Sequence, residues 1–129
     1  YSDKVIFLGT LNREKLFPII ENAYACLLPS RIDNMPNTCI EAMAMGKIVV
    51  GTRGASYEQF IEDGVSGYLI DIDDVKGMSA VIDKLDRLGD NGRRDMCKRA
   101  MGITNRFEPE RVYQSIISYY VKVIEEDRI

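Results

Sequence analysis

The sequence predicts an α/β fold in which a parallel sheet is flanked by helices and followed by a helical tail. Three observations lead there. Short apolar runs closed by glycine, proline or acidic residues recur in the first part of the chain, helical periodicity fills the gaps between them, and after Val75 only helical patterns remain.

Val5-Ile6-Phe7-Leu8-Gly9 has the continuous apolar character of a strand buried on both faces. The same pattern recurs at residues 24–28 before Pro29, at 48–50 before Gly51, and at 67–70 before Asp71-Ile72-Asp73-Asp74. Helical patterns lie between, at about 14–23 and 38–45, with a short one at 57–61. Strands and helices alternating over such short spacings predict βαβ units in one Rossmann-like sheet. The sheet part is expected over about 4–74 and the helical part over about 75–129, within a single domain covering 1–129.

In the tail, helices are expected at 76–88, at about 93–105 after the Gly89-Asp90-Asn91-Gly92 break, and from Pro109 to Glu126. In the last, Val112, Ile116, Tyr119 and Val123 make one stripe, with Tyr113, Ile117, Tyr120 and Ile124 beside it. So wide an apolar face needs a partner surface. Either the domain's own sheet or a further domain of a longer chain would supply it.

The 129 residues, 46% hydrophobic and 29% charged, suffice for one domain with a real core. A net charge of −3 lacks the basic field that nucleic acid binding needs, so no nucleic-acid partner is expected. Cys26, Cys39 and Cys97 form no CxxC pair, and there is no histidine to complete a zinc or Cys/His catalytic set. They are expected to be reduced thiols in a cytoplasmic protein. No run reaches the roughly 18 apolar residues of a spanning helix, and Tyr1-Ser2-Asp3-Lys4 does not open a signal peptide. With no initiator methionine, the chain reads as a fragment whose site is shared with a missing N-terminal domain.

The informative segment is Pro29 to Gly51. Ser30-Arg31-Ile32-Asp33-Asn34-Met35-Pro36-Asn37 follows a predicted strand and precedes a predicted helix, which in open α/β sheets is the carboxyl edge where ligands bind. Asn37 is placed to cap the helix, whose unpaired first-turn N–H groups suit an anion such as a diphosphate. Thr38-Cys39-Ile40-Glu41-Ala42-Met43-Ala44-Met45 is apolar on nearly every side except at Glu41. A carboxylate on so buried a helix costs several kcal/mol unless donors meet it. Two sets of donors are available to it. Ribose hydroxyls at the ligand edge are one; nearby backbone N–H groups, Lys47 or Arg53 are the other.

Pro29-Ser30, then Asp33, seven intervening residues, and Glu41-Ala42-Met43-Ala44-Met45-Gly46-Lys47-Ile48-Val49-Val50 resemble the acidic-x7-Glu signature of retaining glycosyltransferases of family four, which have the GT-B fold. The flanks agree: Val5-Ile6-Phe7-Leu8-Gly9 resembles the strand before the signature. Gly54-Ala55-Ser56-Tyr57-Glu58-Gln59-Phe60-Ile61 and Gly64-Val65-Ser66-Gly67-Tyr68-Leu69 resemble the stretch after it. The resemblance implies the C-terminal, donor-binding half of a GT-B enzyme that takes a sugar from a nucleotide diphosphate sugar, with UDP or GDP as carrier, and retains its configuration.

By that resemblance Glu41 holds the ribose hydroxyls of the donor and Asp33 lies beside its sugar, these two being the catalytic-site acids. Backbone N–H groups of Asn34, Met35, Asn37 and Thr38 reach the sugar and diphosphate; Pro36 has none to give. Asp33 is one methylene shorter than the family's usual Glu. The family's diphosphate-gripping basic pair precedes the strand matching Val5 to Leu8 and has no counterpart in the chain. Weak donor binding and no transferase activity are therefore expected of these 129 residues alone.

The resemblance implies no cofactor and no metal, because a helix N-terminus and cations stabilise a departing diphosphate. Asp71-Ile72-Asp73-Asp74 reads as a solvated strand end leading into a helix. The expected partners are the nucleotide sugar, the missing N-terminal domain and, through exposed apolar surface, a second copy of the fragment.

Among alternatives, a sugar-nucleotide epimerase or a glycogen-phosphorylase-like GT-B enzyme would share the architecture but not the Pro-Ser and Glu-Ala-Met-Ala context. A flavodoxin-like receiver would need acids after its first strand and an aspartate ending a middle strand, where this chain has Gly9 and Pro29. A dinucleotide site would want G-x-G-x-x-G, and Gly64-Val65-Ser66-Gly67 reads instead as a turn.

Overall fold

Parallel pairing of Ala25 with Ile48 and of Val50 with Tyr68 sets the frame of the fold. In the computed structural model, which describes residues 4–126, three strands form one parallel sheet in the order β1 (Ala25–Leu28), β2 (Ile48–Thr52), β3 (Tyr68–Ile70). The helices are α1 (Arg13–Asn22), α2 (Asn37–Ala44), α3 (Val75–Arg87), α4 (Gly89–Thr104) and α5 (Pro109–Glu126), with 3-10 turns at Tyr57–Gln59 and Asn105–Phe107.

The sheet is central because its side chains alternate between two cores. Val49 and Leu69 point into one, with Ile20, Cys39, Met43, Tyr57 and Phe60 from the loops, α1 and α2. Ile48, Val50, Tyr68 and Ile70 point into the other, against Val81 and Leu85 of α3 and Met96 of α4. This is the period-2 consequence of the pleat, with β2 buried along its whole length. Each fully buried aliphatic side chain stabilises by roughly 1.5–3 kcal/mol, so β2 and β3, buried at every position, carry most of the sheet's contribution.

Helix α1 starts where the Asn12 side chain accepts from Lys15 N–H at 3.1 Å. Helix α2 stops in a Schellman motif. Lys47 N–H donates to Ala42 C=O and Gly46 N–H to Met43 C=O, both at 2.9 Å, with Gly46 at φ +68°. That closure aims the chain directly into β2.

Four expectations are corrected. Residues 5–9 form no strand, and Val5, Ile6, Phe7 and Leu8 are 54, 80, 93 and 53% exposed. Nothing among the described residues pairs with this segment, and an extended apolar run without a neighbouring strand leaves its side chains in solvent. β1 is likewise the edge of the sheet rather than a two-face-buried strand, and Leu27 is 42% exposed.

The break at Gly89 to Gly92 is confined to the junction itself. Asp90, Asn91 and Gly92 already belong to the first turn of α4. Finally, α5 does not cover this sheet: none of its residues is buried. Both sheet faces are already occupied by the elements of the two cores, and Tyr113, Ile117 and Tyr120 remain 61, 55 and 62% exposed. No helix among the described residues is long and apolar enough to cross a membrane.

Candidate functional site

The segment between β1 and α2 crosses the carboxyl edge of the sheet and is pinned there by short-range bonds. Ser30 N–H donates to Thr52 Oγ1 at the end of β2, 3.0 Å away, and Ser30 Oγ donates to the Ile32 carbonyl at 3.0 Å. Asp33 Oδ1 accepts from Met35 N–H at 3.1 Å, an Asx turn that folds the loop back on itself. Pro36, at φ −72° and ψ 80°, makes the inverse γ-turn that carries Asn37 N–H to the Met35 carbonyl at 2.8 Å.

This geometry relocates the helix cap. Pro36 occupies the cap position and offers no side-chain bond, while Asn37 is already the first helical residue, so Asn37 does not cap α2. The γ-turn is the reason: it starts the helix one residue early. The Pro36 carbonyl accepts from Cys39 and Ile40 N–H, leaving Thr38 N–H without a hydrogen bond among the described residues. Of the four expected donors, Met35 and Asn37 are thus engaged within the loop, and Asn34 and Thr38 have no hydrogen-bond partner among the described residues.

Glu41 sits one turn into α2, its side chain 26% exposed, and Oε1 accepts from Arg13 Nη2 at 2.9 Å. The partners considered from sequence are used elsewhere. Lys47 Nζ donates to the Glu21 carbonyl at 2.5 Å, and Arg53 pairs with Asp63 and, at 3.5 Å, with Asp71. Nothing in the sequence around Arg13 signals this contact, because it bridges 28 positions at the start of α1. Cys39, fully buried beneath the loop, has its thiol pushed up to about 12 by burial, with Cys26 and Asp33 adding to the shift. Burial likewise raises the Tyr57 hydroxyl, with the Asp33 charge adding to the shift.

The acidic stretch after β3 is tied down by cations and a helix. Asp74 Oδ1 caps α3 by accepting from Gly77 N–H at 2.8 Å. Asp73 accepts from Arg31 Nη2 at 2.8 and 3.1 Å. Among the described residues no group of three His, Cys, Asp or Glu is arranged to hold a metal ion.

An acid on the loop, an acid on the following helix and free N–H groups at that helix's start together occupy the ligand edge of a parallel sheet. The sequence profile of the glycosyl transferases group 1 family matches residues 1–87. The chain belongs to that family.

Relatives of this glycosyltransferase chain include the N-acetyl-alpha-D-glucosaminyl L-malate synthase of Bacillus anthracis, 26% identical over 98% of the chain and 32% of that protein. The MMP alpha-(1->4)-mannosyltransferase of Mycolicibacterium hassiacum is 30% identical over 95% of the chain and 30% of that protein. The chain spans about a third of the length of these relatives.

In three dimensions it is similar to sucrose-phosphate synthase from Thermosynechococcus elongatus, with a TM-score of 0.80 at 21% identity over 96% of this chain and 31% of that one. It is also similar to Anabaena HepE in complex with UDP, with a TM-score of 0.82 at 20% identity over 94% and 33%. These likenesses establish the GT-B fold of the group 1 glycosyltransferase chain.

Proposed function

We propose that this chain is the donor-binding half of an enzyme that moves a sugar from a nucleotide diphosphate sugar to an acceptor hydroxyl with retention of configuration. The carrying observation is Glu41: a partly buried carboxylate held by Arg13 through one oxygen, one turn beyond the free Thr38 N–H. Family membership supports a glycosyl donor, and the complex of HepE with UDP supports a nucleoside diphosphate as its carrier.

Each residue then has a role. Glu41 accepts from the ribose hydroxyls, as a charged acceptor that makes stronger bonds than a neutral one. Asp33 lies beside the donor sugar, and the N–H groups of Asn34 and Thr38 meet the sugar and diphosphate. On binding, Met35 and Asn37 N–H exchange their loop partners for the ligand. In the transfer the acceptor oxygen bonds to the anomeric carbon while the bond from that carbon to the diphosphate oxygen breaks. The electron pair leaves with the diphosphate, which takes up the acceptor's proton.

The first turn of α2 and cations of the missing N-terminal domain stabilise the charge that develops on the diphosphate, with no metal assigned a part. The same N-terminal domain supplies the rest of the cleft, so residues 1–129 alone turn over no substrate. Three free cysteines support a reducing, cytoplasmic setting.

Calorimetric titration of the full-length enzyme with UDP and GDP tests this reading. Glu41→Gln should weaken the preferred nucleotide by roughly 10- to 100-fold, the worth of hydrogen bonds to a charged group, with the melting temperature unchanged. Undiminished affinity would remove Glu41 from the site, and robust turnover by residues 1–129 would overturn the division of labour.

A further inference from the structure

The loop between β1 and α2 satisfies itself before any ligand arrives. Asp33 Oδ1 accepts from Met35 N–H at 3.1 Å, and the Met35 carbonyl accepts from Asn37 N–H at 2.8 Å. Both polar groups of the Met35 backbone are thus spent on residues two positions away, one on either side. Pro36 between them is buried and holds the turn down, while Met35 itself is 57% exposed.

The Asp33 carboxylate has no second partner. Its bond to Met35 N–H is the one hydrogen bond it makes among the described residues, and the nearby cations are engaged elsewhere. Arg13, Arg31 and Arg53 pair with Glu41, Asp73 and Asp63, and Lys47 donates to the Glu21 carbonyl. A half-buried carboxylate that gives up its only donor must find another or bear its desolvation cost.

We propose that Asp33 is a specificity-determining residue that competes internally with the donor: its carboxylate keeps Met35 N–H from the ligand and yields it to one whose sugar hydroxyls take its place. The proposal rests on the donor-site reading above. With an intact nucleotide sugar, hydroxyls donate to the freed carboxylate as Met35 N–H turns to the ligand's oxygens, and the exchange balances bond for bond. With the bare nucleoside diphosphate it does not balance, because the freed carboxylate meets no donor and faces like charge. The loop thereby favours the loaded carrier over the spent one. Once the sugar has left, reclosure of the turn favours release of the diphosphate.

Side-chain length separates this device from plain charge repulsion. A side-chain bond to the backbone two residues on belongs to Asp and Asn. Asp33→Glu keeps the charge, but its extra methylene carries the oxygen past that turn. Asp33→Asn removes the charge and keeps the turn. Asp33 belongs to neither core, so both variants fold.

The test is calorimetric titration of the full-length enzyme and both variants with UDP, UDP-glucose, UDP-N-acetylglucosamine, GDP and GDP-mannose. Hydrogen exchange at the Met35 amide is read by NMR in the same samples. The wild-type enzyme should bind one nucleotide sugar about tenfold or more tighter than its own nucleotide. Asp33→Glu should bind that bare nucleotide about tenfold tighter than wild type does, and its free-state Met35 amide should exchange about tenfold faster. Asp33→Asn should move both readouts less than Asp33→Glu.

An unchanged or weaker nucleotide affinity in Asp33→Glu overturns the proposal, as does a wild-type enzyme that binds no nucleotide sugar tighter than its nucleotide. Tightening by Asp33→Asn as large as that by Asp33→Glu traces the effect to charge and overturns it equally. In each of these cases nucleotide still binds, and the donor-site reading stands. A folded wild-type enzyme that binds none of the five ligands sinks that reading and the proposal with it.

Discussion

Arg13 and Glu41, from the first turn of α1 and the middle of α2, meet through a single Nη2 to Oε1 bond of 2.9 Å. In the proposed donor role the pair leaves Oε2 for the ribose and compensates a carboxylate that burial under a nucleotide would otherwise penalise. Arg13 is 75% exposed, so its own contribution to stability is small, within about 1 kcal/mol. Arg13→Ala in the full-length enzyme should therefore leave the denaturation midpoint nearly unchanged while weakening nucleotide binding roughly tenfold, with Arg13→Lys intermediate. Calorimetry alongside urea unfolding separates the two effects.

Two glycines predict stability changes of opposite sign. A Cβ on Gly67 would stand 2.5 Å from the Val49 carbonyl oxygen, backbone of the central strand that cannot move aside, so Gly67→Ala should cost about 1–3 kcal/mol or more. Gly102 lies exposed within α4 with nothing within 4 Å of the added methyl. There Gly→Ala should stabilise by about 0.5–1 kcal/mol through helix propensity. Chemical denaturation of both variants checks the pair.

The elements legible in the sequence were those with a local signal. The three sheet strands and the helix from Pro109 to Glu126 follow from apolar runs and a first-turn proline. What local pattern does not carry is partnership. Val5 to Leu8 have strand composition but no neighbour in this sheet, and α5 has an amphipathic face with nothing beneath it. At the site, Asp33, Glu41 and the start of α2 were placed at the sheet's edge by the strand-loop-helix order. The γ-turn at Pro36 that displaces Asn37 from the cap, and the Arg13 contact to Glu41, depend on backbone angles and on a 28-residue separation that no motif encodes.

Cys39 makes stability fall at alkaline pH. Its thiol ionises near the ordinary 9.0 once unfolded but only at about 12 in the folded chain, so the folded state holds the proton longer. That contribution is intact below pH 9.0 and is lost as pH rises towards about 12, at up to about 1.4 kcal/mol per pH unit for one proton. Urea midpoints measured across this window should decline more steeply for the wild-type chain than for Cys39→Ala. Parallel slopes would show that the thiol does not carry the effect.

The uncovered face of α5 predicts solution behaviour. Because no α5 residue is buried, Ile117→Glu with Tyr120→Glu should change unfolding stability by less than about 0.5 kcal/mol. The unsubstituted 129-residue chain should self-associate as concentration rises, and the double variant should sediment as a monomer.

Asp74 both caps α3 and stands on the wall of a cavity of about 380 Å³ at the strand ends. Any replacement of Asp74 that cannot accept from Gly77 N–H frays a helix as it alters the wall, while Asp71 and Asp73 are held by Arg53 and Arg31, and Asp73 also by its left-handed backbone at φ 59°. Diversification at this rim is thereby channelled: exchanges at Asp71 break only an exposed ion pair, and those at Asp73 and Asp74 also disturb the backbone.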